Sequence, residues 1–205
     1  MTPPRLIAFT DLGVAPASKL VERARRAASR AAPASILFVL RDKERSAQER
    51  LELGRVLAEV ARRTEQRFGV ADRIDLALLL GADALHLGEG SVETHDARRL
   101  LGGRAFVTRA VHVPEEAALA DADGVVFSPV IEARKGRPAW GLGGLARARE
   151  KLTSRGSALY ALGGVRAENA AACLASGATG VAVIGALFAD EDATELLRAL
   201  GILRH

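Results

Sequence analysis

Two glycine-containing segments in the second half of the chain could bind an anion. The first follows the apolar run 158–162, and the second follows the apolar run 180–184. Glycine has no Cβ, so a phosphate oxygen can approach the backbone N–H groups of such a turn. Paired glycines also occur in turns that bind nothing, but the position after two predicted strands favours a phosphate site. The predicted phosphate-binding residues are Gly163, Gly164, Val165, Gly185 and Ala186.

His112 is the candidate for proton transfer. It follows the predicted strand 105–108 and precedes a helix that Pro114 is expected to open. Imidazole titrates near neutral pH, so a histidine at the carboxyl end of a strand is suited to general acid–base catalysis. A lone histidine is more often structural, and that alternative stays open. His86, inside the apolar run 84–87, is expected to pack in the core.

Cationic residues follow two other predicted strands. Arg41 and Lys43 come after the run 35–40, and alternation would direct both side chains toward a common anion. Lys135 and Gly136 lie in the long loop 128–141, which could close over a ligand. Trp140, at the end of that loop, is expected to line the pocket or to anchor the loop. Solvent-exposed loops are the alternative for both cationic segments.

The elements that position these residues alternate along the whole chain. Short apolar runs without period-two alternation indicate strands buried on both faces, and stretches with helical periodicity separate them. This order predicts an α/β fold, a (β/α)8 TIM barrel in one domain spanning residues 1–205. An open doubly wound sheet is the alternative. The predicted strands are residues 5–10, 35–40, 67–70, 84–87, 105–108, 124–127, 158–162 and 180–184.

Composition excludes several other classes of protein. Hydrophobic residues make up 49% and charged residues 26% of 205 residues, which is typical of an ordinary globular chain. The single cysteine, Cys173, leaves no internal disulfide and no cysteine cluster for a metal. The net charge of +4 comes from arginines scattered over predicted helices, which argues against nucleic acid as a partner. No leader or membrane span is recognised, so a cytoplasmic location is expected.

The chain resembles the thiamine phosphate synthase/TenI family over nearly its whole length. The clearest matches are the glycine turn 161–165 and the segment 177–184. The segments that carry the resemblance are LIAFTD (6–11), VLRDK (39–43), ADRIDLA (71–77), GADALHLG (81–88), ALGGV (161–165) and GATGVAVI (177–184).

The synthase branch implies Mg²⁺-assisted joining of a pyrimidine diphosphate to a thiazole phosphate, but several of its residues differ here. The usual Asn-Asp pair is Ala71 and Asp72, and the usual glutamine two residues before Arg41 is Val39. The acidic residue expected after the His-x-Gly segment is missing, although Glu89 could substitute as a ligand. The Thr-x-Thr-Lys loop is replaced by residues 132–135.

The TenI branch resembles the chain more closely at these places. Its members are thiazole tautomerases, which aromatise a carboxythiazole phosphate by moving a proton without a metal. Residues 111–117 match the branch's Val-His segment and the following Glu-Glu-Ala, so the resemblance implies that His112 is the acid–base residue. Lys135 and Gly136 match the branch's basic loop.

The sequence therefore predicts a metal-independent thiazole tautomerase that needs no cofactor. A divergent Mg²⁺-dependent thiamine phosphate synthase and a non-catalytic protein that binds thiazole phosphate or thiamine phosphate are the alternatives. The expected partner is a phosphorylated thiazole, with neither nucleic acid nor membrane. The resemblance also implies a homodimer as one assembly.

Overall fold

Eight short apolar segments form parallel strands that close into a single barrel in the computed structural model, which describes residues 2–152, 156–188 and 192–204. Each strand pairs with the next one along the chain, and Leu6 of the first strand lies opposite both Ile36 and Val181. The predicted (β/α)8 barrel is confirmed, and the open sheet is excluded by this closure. The strands are β1 Leu6–Phe9, β2 Ile36–Leu40, β3 Arg67–Ala71, β4 Ala84–Leu87, β5 Phe106–Val111, β6 Gly124–Phe127, β7 Ala158–Ala161 and β8 Gly180–Val183.

Helices cover the outside of the barrel after each strand. A 3₁₀ helix, η1 (Pro114–Leu119), replaces the α-helix that would otherwise follow β5. The helices are α1 Ala17–Arg30, α2 Ala47–Arg63, α3 Ile74–Leu79, α4 Thr94–Leu101, α5 Gly141–Leu152, α6 Ala167–Ala175 and α7 Thr194–Ala199. None of the helices among the described residues is both long and apolar enough to cross a membrane.

Two apolar cores result from the alternation of side chains along the strands. One core fills the space between strands and helices, and a second core, which includes Phe9, Val39 and Tyr160, fills the inside of the barrel. Large side chains therefore occupy the barrel interior, and any ligand site must lie at its ends.

Two boundaries differ from the sequence-based prediction by more than one residue. β5 continues through Arg109 and Ala110 to Val111, three residues beyond the predicted end at Thr108, because these residues pair with β6. The last helix was expected over residues 189–200, but α7 covers Thr194–Ala199. The start of that prediction, residues 189–191, lies outside the described residues.

His86 points into the barrel, as the sequence predicted, but it lies near the carboxyl end of β4 and is only half-buried. Its ring makes an edge contact with Phe9 at 4.7 Å between centroids, and its Nδ1 lies 3.0 Å from the hydroxyl of Thr108. Burial lowers the pKa of His86 to about 4, since a charged imidazolium is poorly solvated there.

This burial predicts a loss of stability in mild acid. Between about pH 6.5 and pH 4 the unfolded chain protonates His86 whereas the folded chain does not, so the free energy of unfolding falls by up to about 3 kcal/mol. Urea unfolding followed by circular dichroism at several pH values measures this change. The variant His86→Gln should show a much flatter pH dependence in this range, and an unchanged slope would contradict the assignment.

Candidate active site

His112 stands at the carboxyl end of the barrel with one ring nitrogen fixed. It directly follows β5, and its Nδ1 lies 2.8 Å from the carbonyl oxygen of Ser128. A carbonyl oxygen can only accept a hydrogen bond, so Nδ1 carries the hydrogen and Nε2 of the neutral ring is the free proton acceptor. The carboxylate of Glu89 is 3.9 Å from that Nε2. This arrangement is suited to a general base that receives a proton through Nε2.

Trp140 anchors the long loop to the backbone of the same histidine. Its indole Nε1–H donates to the carbonyl oxygen of His112 at 2.7 Å, and its backbone N–H donates to the carbonyl oxygen of Pro129 at 3.0 Å. Of the two roles that the sequence left open for Trp140, the structure supports anchoring.

The two glycine turns lie side by side at the same end of the barrel as His112. They follow the paired strands β7 and β8, and together they line a cavity of about 590 Å³. Among the described residues, no acceptor bonds to the backbone N–H groups of the five predicted phosphate-binding residues. Backbone N–H groups without a protein partner are what an anion site requires. Phosphate binding here nevertheless stays a prediction.

The first glycine turn has a conformation that demands glycine. Gly163 and Gly164 have φ angles of +102° and +74°, and an ideal Cβ on Gly164 would lie 2.5 Å from the Cγ of Glu132. At Gly185 an added Cβ would meet nothing within 4 Å. The two turns therefore differ, because only the first is packed closely against the loop after β6.

That loop connects the glycine turn to His112. The N–H groups of Val130 and Ile131 donate to the carbonyl oxygens of Leu162 and Gly163 at 2.9 and 2.8 Å. The same loop begins with Ser128, which accepts from His112. The predicted phosphate site and the predicted base are thus joined by five consecutive residues, 128–132.

Arg41 and Lys43 do not point to a common anion in this structure. The guanidinium of Arg41 faces Asp11 at 3.9 Å, and the ammonium of Lys43 contacts Asp72 at 2.5 Å. Each cation therefore already has its own carboxylate. Their role in binding substrate stays a prediction.

Asp72 is held by three donors at the end of β3. Besides Lys43, the backbone N–H of Gly88 donates to it at 2.9 Å, and the hydroxyl of Ser91 donates to it as well. Burial alone would raise the pKa of Asp72, but these hydrogen bonds outweigh burial and lower the pKa to about 2. Asp72 also has a positive φ of +62°, which is uncommon for a residue other than glycine.

As arranged, the carboxylates of Asp72 and Glu89 suit the cationic side chains of Lys43 and Arg137 better than they suit Mg²⁺. Mg²⁺ needs free oxygen ligands, whereas both oxygens of Asp72 already contact donors and Glu89 is paired with an arginine. Across residues 2–152, 156–188 and 192–204, no three His, Cys, Asp or Glu side chains come together as metal ligands. Lys43 supplies the positive charge at this position.

Lys135 and Gly136 form the exposed tip of a two-residue hairpin. Arg134 and Arg137 exchange both backbone hydrogen bonds at 3.0 Å, and the tip residues have φ angles of +51° and +74°. The guanidinium of Arg137 contacts both carboxylate oxygens of Glu89 at 3.0 and 2.9 Å. The hairpin is thereby linked to the loop after β4.

Sequence reasoning missed several residues that shape the site. Arg50 of α2 is buried and donates to the carbonyl oxygen of Ala71 at 3.2 Å, next to Asp72. Ser91, Ser128 and Arg137 were also missed. Only Ser91 had a sequence signal, because it lies in the loop where the acidic residue of the synthase branch is missing.

The fold and the site define a barrel of the enzyme type, with a candidate anion site and a candidate histidine base at the same end of the barrel. The family model described as thiamine monophosphate synthase (TMP-TENI) matches residues 6–187. The chain therefore belongs to the thiamine monophosphate synthase family.

Several proteins are similar to the chain. A thiamine-phosphate synthase of Thermus thermophilus is 38% identical over 166 residues, covering 78% of this chain and 79% of the relative. A putative thiamine-phosphate synthase of Geobacter sulfurreducens is 38% identical over 168 residues, with 78% and 77% covered.

Two further matches differ in how much of the other protein is covered. A thiamine-phosphate synthase of Gloeobacter violaceus is 37% identical over 161 residues, covering 76% of this chain but only 46% of the relative. The solved structure of a thiamine phosphate pyrophosphorylase from Pyrococcus furiosus superimposes with a TM-score of 0.82 at 30% identity, with 96% and 94% covered.

The difference between the two glycine turns predicts different costs for an added methyl group. Gly164→Ala should reduce the free energy of unfolding by about 1–3 kcal/mol, because alanine is strained at this φ and collides with Glu132. Gly185→Ala is the matched control and should change it by less than about 0.5 kcal/mol. Urea unfolding measures both values, and equal costs would contradict the geometry of the first turn.

Proposed function

We propose that this chain is an enzyme of thiamine biosynthesis that converts a carboxythiazole phosphate to its aromatic tautomer. The observation that carries the proposal is the fixed imidazole of His112, whose Nδ1–H is held by Ser128 so that Nε2 is left free to accept a proton. Its side chain is 20% exposed, so a ligand can reach it. A phosphorylated thiazole is the proposed partner, and no metal takes part.

The proposed reaction moves one proton across a conjugated system. In the proposed complex the phosphate binds to the unpaired N–H groups of the two glycine turns and the ring extends along the loop 128–132 to His112. Nε2 removes the proton from ring C2, and the C–H electron pair shifts through the ring so that the exocyclic double bond becomes part of the aromatic ring. The exocyclic carbon then takes the same proton from Nε2. Lys135 adds positive charge at this end of the barrel for a substrate that carries both a phosphate and a carboxylate, and Arg41 and Lys43 could contribute only by exchanging their partners Asp11 and Asp72.

Replacing the base tests this proposal. His112→Ala should lower kcat by about 10²–10⁴-fold, which is the usual contribution of a general acid–base residue, with little change in affinity for the aromatic product. Turnover is followed by the ultraviolet absorbance of the thiazole, and affinity is measured by calorimetry. Ser128→Ala is the comparison: it removes the hydroxyl that lies 3.2 Å from Nδ1 but retains the closer carbonyl oxygen, so it should lose far less activity than His112→Ala. A His112→Ala variant with wild-type turnover would rule out this role.

Thiamine phosphate synthase is the second candidate, and the names of the relatives favour it over the tautomerase. The relatives from Thermus thermophilus and Geobacter sulfurreducens carry that name, the second as putative. Asp72 and Glu89 are the carboxylates of this chain that such an activity would use. In their present arrangement both are paired with cations, which is why the tautomerase is preferred on geometry.

A second assay separates the two candidates. Incubation with hydroxymethylpyrimidine diphosphate, thiazole phosphate and Mg²⁺ should release no pyrophosphate above background if the chain is only a tautomerase. A thiamine-phosphate synthase assayed in parallel provides the positive control. Catalytic release of pyrophosphate together with thiamine phosphate would establish the synthase as the function instead.

A further inference from the structure

A protein carboxylate lies next to the free nitrogen of the proposed base. Oε2 of Glu89 is 3.9 Å from Nε2 of His112 and 2.9 Å from the guanidinium of Arg137. Arg137 is the main cause that lowers the pKa of Glu89, and His112 and Lys135 contribute in the same direction. The space beside Nε2 is therefore one in which a carboxylate is stabilised.

We propose that Arg137 is the specificity-determining residue that binds the substrate carboxylate, and that Glu89 occupies this position until the substrate arrives. The inference rests on the proposed tautomerase function, whose substrate carries its carboxylate on the carbon that loses the proton. A base that removes this proton must lie close to the carboxylate. Arg137, which holds a carboxylate 3.9 Å from Nε2, is in the position that this chemistry requires.

The three cations that the sequence singled out at this end of the barrel are less suited to this role. Arg41 faces Asp11, and Lys43 is held by Asp72. Lys135 lies at the exposed tip of the hairpin. Arg137 differs from them because its carboxylate partner is also a neighbour of His112.

The ion pair between Arg137 and Glu89 can open, so that Arg137 binds the substrate carboxylate in place of Glu89. The side chains of Arg137 and Glu89 are 39% and 66% exposed, and ion pairs in such surroundings contribute little to stability. The backbone of Arg137 is held by the hairpin, so the guanidinium can reach the same space when Glu89 moves away. A planar guanidinium also matches a second carboxylate in the same way as the first.

Binding of the carboxylate by Arg137 also assists the proton transfer. When the C2–H bond breaks, part of the electron pair is delocalised into the attached carboxylate before the exocyclic carbon is protonated. A guanidinium beside that carboxylate stabilises the added negative charge. Arg137 should therefore affect turnover as well as affinity for the carboxylated substrate.

The test compares two ligands that differ only in the carboxylate. Calorimetry at fixed ionic strength measures two Kd values for each variant: that of the aromatic product, carboxythiazole phosphate, and that of thiazole phosphate, which lacks the carboxylate. Arg137→Gln should weaken binding of the carboxylated ligand by about tenfold or more and leave the other ligand unchanged. Glu89→Gln should tighten binding of the carboxylated ligand about two- to fivefold, because the competing carboxylate is gone.

The two substitutions are expected to change the Kd of the carboxylated ligand in opposite directions, which separates this inference from a purely structural ion pair. Both substitutions break the same pair, so a structural role predicts changes of the same sign for both ligands. The matched control is the pair of Arg204 and Glu65, whose side chains are 42% and 70% exposed. Arg204→Gln and Glu65→Gln should leave both Kd values unchanged.

Failure of the inference and failure of the proposed function give different results. A wild-type protein that prefers the carboxylated ligand, with the same preference in Arg137→Gln, would overturn the inference and leave the tautomerase standing. A wild-type protein without any preference would overturn the inference as well. Whether the tautomerase itself holds is then decided by turnover in the His112→Ala experiment.

Discussion

Closure of the parallel sheet between β1 and β8 is the constraint on which the rest of the structure depends. Because all eight strands run in the same direction, every loop that follows a strand reaches the same end of the barrel. Residues far apart in the sequence, such as His112 and Gly163, therefore contact the same loop, the one that follows β6. The filled interior leaves this end as the place where a small ligand can meet several loops at once.

The loop after β6 organises this end of the barrel. It accepts the hydrogen bond from His112, packs on the first glycine turn and carries Arg137 to Glu89. Trp140 fixes its far end to the backbone of His112. One loop thus contacts the candidate base, the candidate phosphate site and the neighbouring loop after β4. The chemistry proposed for the site depends on this loop more than on any single strand.

The sequence predicted what depends on local pattern. Buried strands are recognisable as apolar runs, and the demand for glycine at Gly163 and Gly164 follows from the turn that must come after β7. His112 was expected at the carboxyl end of a strand, and β5, which runs three residues further than predicted, ends directly before it. The family resemblance added the expectation of a phosphorylated thiazole, which composition and periodicity alone do not provide.

What the sequence did not predict depends on the path of the loops. Alternation was applied to Arg41 and Lys43, but β2 ends at Leu40, so the period of two no longer holds beyond it. The pair of Arg137 and Glu89 joins residues 48 positions apart in two loops, and no local pattern records such a pairing. Asp72 has a left-handed backbone and its carboxylate contacts Lys43, and the sequence indicates neither, although aspartate adopts this conformation more readily than most residues.

The short segment 128–132 has a consequence for the size of the molecule that can react. It contacts the imidazole at one end and the turn at Gly163 at the other, so the gap between the proposed base and the proposed anion site is set by five residues and the hydrogen bonds at their ends. In the proposed reaction this gap must equal the length of the arm that joins phosphate to ring. Analogues with one methylene more or fewer would bind their phosphate but hold the reacting carbon out of reach of the imidazole.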